Sequence, residues 1–148
     1  MSNSYTQLIY HFVFSTKDRE PRITEGRQRD LYAYLFGINE GLKAHTYRIG
    51  GIEDHVHVLT SLPRTISVSK YIEQLKSGSS GWIRREMVFD KWPGWQNGYG
   101  GFTVSWEDKE GLIEYIAKQK EHHEKEDFLS EYRRLLNENG VVFDERYL

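Results

Sequence analysis

The sequence predicts an α+β fold of the ferredoxin-like (split βαβ) kind: an antiparallel sheet with helices on one face and further helices appended at the C-terminus. Three observations lead there. Runs rich in β-branched and aromatic residues alternate with runs whose apolar residues recur at helical spacing. Their order is strand, helix, strand, strand, helix, strand, helix. Glycine, proline or short polar runs separate them. The chain has 148 residues, 38% hydrophobic and 28% charged, which suits one domain spanning 1–148 with a core of its own.

The elements follow in chain order. "YTQLIYHFVFS" has strand composition and gives way to a polar run at 16–22 that contains Pro21. Thr24 is placed to cap a helix over 25–42, where Leu31, Leu35, Ile38 and Leu42 recur at helical spacing. "HTYRIGGIEDHVHVLTSL" reads as two strands with a turn near Gly50, Gly51 and the acidic pair, and Pro63 closes the second. Ser67 opens the next helix, whose pattern "KSGSSGW" interrupts, predicting a bend or break. The Gly-rich "KWPGWQNGYGG" runs into a strand at "GFTVSW". The rest is helical, with a break near Asp127 and an end at Asn139 and Gly140.

Composition excludes several chemistries. With no cysteine there is no disulfide framework, thiolate zinc site or cysteine nucleophile. The N-terminus lacks the basic and apolar regions of a signal peptide, and no apolar stretch approaches a membrane span, so a cytoplasmic protein without membrane association is expected. The net charge of −2 is unevenly spread: residues 1–105 carry a net +3 and residues 106–148 a net −5. Any phosphate backbone is therefore expected to lie across the first two thirds, where "KDREPRITEGRQR" and "WIRRE" are the basic patches.

Two of the six histidines stand one residue apart in "EDHVHVL". Side chains alternate along a strand, so His55 and His57 share a face, about 7 Å apart along the chain, and can grip one metal ion or phosphate. The same spacing fits a half-buried strand whose solvent face carries histidine. On that open face, loss of either ring would leave little cavity. Asp54 is either a second-shell partner that orients a histidine or a turn residue. In the last helical region Tyr115, Gln119 and His122 recur at four and three residues and share a helix face. Tyr115 alone would pass for one apolar tooth of an amphipathic stripe. In a chain without cysteine, however, a phosphodiester transferase needs a hydroxyl nucleophile, and a phenolate with pKa near 10 leaves far more readily than an alkoxide. Two imidazoles and an amide oxygen leave positions open on a divalent ion, Mg²⁺ or Mn²⁺, for phosphate oxygens.

"DHVHVL" resembles the histidine–hydrophobic–histidine (HUH) motif, and "YIAKQKEHH" the nucleophile helix, of the single-tyrosine HUH transposases. These are the small insertion-sequence enzymes of bacteria and archaea and the REP-associated tyrosine transposases. "HFVFSTKDREP", "SVSKYIEQLKSGSSGWI" and "WQNGYGGFTVS" are similar to family segments in the family order, so the resemblance covers nearly the whole chain. It implies Tyr115 as nucleophile and His55, His57 and Gln119 as metal ligands, with His122 a possible replacement for Gln119. It further implies cleavage of single-stranded DNA at hairpin-bearing ends through a 5′-phosphotyrosine, rejoining without hydrolysis, and a homodimer in which the tyrosine helix of one subunit can complete the partner's site. Two other readings stay open on the residues alone: a metal-dependent single-strand nuclease, and a non-catalytic single-strand binder using its aromatics as a stacking platform.

Overall fold

The computed structural model describes residues 3–148. Four strands, β1 (Ile9–Ser15), β2 (His45–Ile52), β3 (His55–Ser61) and β4 (Gly100–Val104), form one antiparallel sheet in the order β2-β3-β1-β4. Helix α1 (Gln28–Gly41) joins β1 to β2, and α2 (Val68–Arg85) joins β3 to β4, which is the predicted split βαβ arrangement. Beyond β4 lie α3 (Lys109–Ala117), the single turn α4 (Gln119–His122) and α5 (Phe128–Glu138). Among the described residues, no helix is long and apolar enough to cross a membrane.

Strand alternation divides the molecule. Phe12, Phe14, Val56 and Val58 point to one face, where they meet Leu31 and Leu35 of α1 and Tyr71, Ile72 and Leu75 of α2 in a continuous apolar core. His11, Val13, His55, His57, Leu59 and Phe102 point to the other. The appended helices cover this second face: Ile116 of α3 packs with Leu59, while Phe128, Leu135 and Leu136 of α5 pack with Val13 and Phe102. The sheet is thus sandwiched, and the HUH histidines lie in the layer that the C-terminal helices close.

Helix starts fit the sequence reading in two places, the opening at Ser67 and the break near Asp127. The Ser67 hydroxyl accepts from the Lys70 N–H at the start of α2, and the Asp127 carboxylate from the Ser130 N–H at the start of α5. Elsewhere the structure differs. Thr24 makes no side-chain cap; a short 3₁₀ turn at Glu25–Arg27 leads into α1. The turn between β2 and β3 is Glu53–Asp54, and Gly50 and Gly51 are strand residues. The need for glycine at position 50 comes from α3, since a Cβ there would stand 2.6 Å from the Ile116 carbonyl oxygen. Helix α2 runs unbroken through "KSGSSGW". Ser77 and Ser79 donate back to the Glu73 and Leu75 carbonyls, and Gly78 admits Ile38 of α1, whose Cδ1 would lie 3.0 Å from an added Cβ. Small residues in this helix serve packing. Finally, the predicted continuous helix through Tyr115 and Gln119 is interrupted at Lys118 (φ −103°, ψ 24°).

Candidate active site

The hairpin turn sets the first group. Because β3 begins directly after Asp54, the Asp54 carboxylate lies 2.8 Å from His55 Nδ1 and fixes that ring with Nε2 directed under the C-terminal helices. Antiparallel pairing sets Val13 opposite His57, which brings His11 diagonally to it, with His11 Nε2 2.8 Å from His57 Nδ1. Each HUH imidazole is thus held through Nδ1 and presents Nε2 to the same space, with ring centres 4.9 Å apart. Both rings are fully buried. The expected open strand face is in fact a covered one, because α5 lies over it.

What α5 brings is Glu131, also fully buried. Its Oε1 is 3.2 Å from His55 Nε2, 3.1 Å from His57 Nε2 and 3.0 Å from His123 Nε2. Its Oε2 accepts from the Gln119 amide at 3.1 Å and from the Tyr115 hydroxyl. Gln119 Oε1 lies 2.9 Å from His55 Nε2. Five side chains therefore converge on one carboxylate. The break at Lys118 does not prevent Gln119 and Tyr115 from reaching it.

The electrostatics follow from this crowding. Burial opposes charge on His55, but its hydrogen bonds to Asp54 and Glu131 outweigh it and lift its pKa to about 9. At His57 burial dominates over the Glu131 contact and lowers the pKa to about 4. Burial, reinforced by His57, takes His11 down to about 3. Burial alone would raise Glu131; hydrogen bonds from His123, His55 and His57 instead hold it well below the usual carboxylate range. The Tyr115 phenol is pushed up by burial and by the Glu131 carboxylate, and Arg134 opposes that rise.

The donor set suits a divalent cation. Ligand atoms of His55, His57 and Glu131 lie within 4.8 Å of one another, both imidazoles are held from behind, and the one anionic ligand is already ringed by N–H donors. A cation here would take over the role of the His55 Nε2 proton. Imidazole and carboxylate together favour a transition metal such as manganese over magnesium. His122 is not in this group. Its Nε2 lies 2.8 Å from Glu126, whereas His123 Nε2 lies 3.0 Å from Glu131 in the buried cluster. An open pocket of about 560 Å³ lies beside Tyr115, its wall mixing Lys118, Lys125 and Arg134 with Glu114, Glu121 and Glu126.

Sequence reasoning missed Glu131 and the part played by His11. A signal for Glu131 exists: Phe128, Glu131 and Leu135 recur at three and four residues, so a carboxylate sits within the apolar stripe of α5. His11 alternates with Val13 along β1 and is recognisable only once the β1–β3 register is known.

A ferredoxin-like sheet that groups histidines, a carboxylate and a tyrosine hydroxyl on one face defines a protein class with a candidate metal centre beside a candidate nucleophile. The model of the family described as "Transposase IS200 like" matches residues 4–119, and the chain belongs to this transposase family, whose members are enzymes acting on DNA. Among solved structures, the chain is similar to a Deinococcus radiodurans protein assigned as a transposase (21% identity, 80% of this chain and 96% of that one, TM-score 0.62). It is also similar to a REP-associated tyrosine transposase bound to a REP hairpin (14% identity, 83% and 74% of the two chains, TM-score 0.62). At these identities the likeness is one of fold. No curated protein matches the chain. Glu131, His123 and Arg134 all lie beyond the residues that the family model matches.

Proposed function

We propose that this transposase cleaves and rejoins single-stranded DNA through a 5′-phosphotyrosine on Tyr115, with a divalent ion held by His55, His57, Gln119 and Glu131. The observation that carries the reading is the convergence of Tyr115, His55, His57 and Gln119 on one buried carboxylate, although they come from different elements. When bound, the metal supplies polarisation of a phosphate oxygen. The protein's own groups do the rest. Asp54 and His11 orient the two imidazoles, and Tyr115 offers an oxygen at the wall of an open pocket where a strand can enter. Hairpin-bearing DNA is the proposed substrate, in keeping with the REP hairpin bound by the structural neighbour.

The test is a denaturing gel of labelled single-stranded DNA, taken from the hairpins flanking the coding sequence and incubated with protein and Mn²⁺. Wild type should give a covalent band that protease treatment shifts, and Tyr115→Phe should give none while still binding the hairpin. Tyr132→Phe, a half-buried ring stacked on Phe128, should behave as wild type. Free 5′-phosphate products without a covalent band would replace this reading with hydrolysis by a nuclease. Tyr115 lies against the histidines of its own chain. We further propose a homodimer, for which light scattering should give twice 17.5 kDa; a mass of 17.5 kDa at micromolar concentration rejects it.

A further inference from the structure

Beside the nucleophile stands a cation that the reaction as described leaves without a role. Arg134 of α5 donates from Nη2 to the Tyr115 hydroxyl oxygen at 2.8 Å, with its guanidinium carbon 5.6 Å from the ring centre. Glu126 grips it from behind through Nε at 3.2 Å and Nη2 at 3.1 Å, and Glu138 accepts from Nη1 at 3.3 Å. The side chain is one-third exposed and forms part of the wall of the pocket beside Tyr115. His122, Glu126 and Glu131 bring ligand atoms within 4.8 Å of one another here, a spacing suited to a second ion, but the guanidinium already places a fixed positive charge among them.

We propose that Arg134 is a catalytic residue that stabilises the Tyr115 oxygen as nucleophile in strand cleavage and as leaving group in strand rejoining. The proposal rests on Tyr115 being the nucleophile. In cleavage the phenol oxygen bonds to phosphorus while the bond from phosphorus to the 3′ oxygen breaks. The phenol proton is lost to solvent, and the departing 3′ oxygen takes a proton from solvent, leaving a 3′-hydroxyl. Rejoining reverses each change: a 3′-hydroxyl attacks, the tyrosine–phosphorus bond breaks, and negative charge returns to the phenol oxygen at 2.8 Å from Arg134 Nη2. Arginine suits this task because it donates at fixed geometry and keeps its proton at any working pH. Held by Glu126 and Glu138, it needs little reorganisation as charge develops.

Single-turnover formation and resolution of the covalent adduct test the assignment, with hairpin affinity and melting temperature measured alongside. Arg134→Gln should slow both directions by about 10²–10³-fold, the loss seen on removing one preorganised donor to a developing oxyanion. Arg134→Lys should recover part of the rate, and hairpin affinity should change little. Arg133→Gln is the neighbouring control, since Arg133 pairs with Glu145 on the exposed side of the same helix. If Arg134 only tethers α5, Glu126→Gln should be as slow as Arg134→Gln. If Arg134 is catalytic, Glu126→Gln should fall less than about 10-fold, because the guanidinium remains. Wild-type adduct rates in a folded Arg134→Gln, or equal losses in Arg134→Gln and Glu126→Gln, overturn the proposal while Tyr115 stands. Absence of any adduct in wild type removes the nucleophile assignment, and this proposal with it.

Discussion

The two faces of one sheet contrast sharply. On the α1/α2 face, Phe12, Phe14, Val56 and Val58 meet helices through apolar contact alone. On the α3/α5 face, the residues between them in the same strands, His11, His55 and His57, form a buried polar cluster with Gln119, His123 and Glu131. Both faces are closed to solvent, but the first buries only neutral polar groups, as where Asn39 bonds Thr60 and Tyr71, whereas the second gathers titratable ones around a carboxylate. A buried polar group is tolerable when its partners are in place and costly when any one is missing. The first face can therefore absorb substitution as lost packing, whereas the second depends on completeness.

The largest effect should come from neighbouring tests of that asymmetry. His57→Ala should abolish adduct formation and also lower stability by about 1–3 kcal/mol, because it leaves buried His11 Nε2 without its partner and removes one of the donors around Glu131. Leu35→Ala should cost about 2–5 kcal/mol in cavity formation, yet leave the adduct rate per folded molecule unchanged. Melting curves and active-site titration decide; a His57→Ala protein as stable as wild type would mean that water reaches this face and the contrast is overdrawn.

Next in size are the metal-binding effects. Glu131→Gln keeps the side chain's shape but removes its charge, and should weaken Mn²⁺ binding, read by electron paramagnetic resonance titration, by more than 10-fold. Asp54→Ala, which frees the His55 ring, should weaken it by about 10-fold, at the low end for loss of an outer partner. Unchanged or tighter binding in Glu131→Gln would identify the carboxylate as a competitor for the cation instead of a ligand.

The smallest effects compare two glycines. Gly50→Ala pushes a methyl against backbone, the Ile116 carbonyl oxygen, and should cost about 1–3 kcal/mol. Gly78→Ala meets only the flexible end of Ile38, and the gain in helix propensity should keep the change within about 1 kcal/mol. Equal losses would show that α1 and α2 fit the sheet as rigidly as α3 does.

This contrast also explains what could be read from the sequence. Period-2 and period-3.6 patterns, with Ser67 at a helix start and a break near Asp127, report local backbone preference, and they led to the correct fold class. His55 and His57 share a strand face by geometry alone, and Tyr115 and Gln119 entered by resemblance to a family. Their burial depends on where α5 docks, which no local pattern states. Glu131 in "FLSEYRRLL" stands among charged residues, so only its spacing from Phe128 and Leu135 marks it as part of the apolar stripe. Likewise, "GG" in β2 and "SGSSG" in α2 looked like breakers because their neighbours, Ile116 and Ile38, are distant in sequence.

The position of Glu131 so late in the chain has a consequence for time. During synthesis the sheet has all its strands once Val104 has emerged, and the tyrosine follows at 115, but the carboxylate on which the cluster converges comes at 131. In chain order the strands thus come before the carboxylate, and α5 completes the cluster.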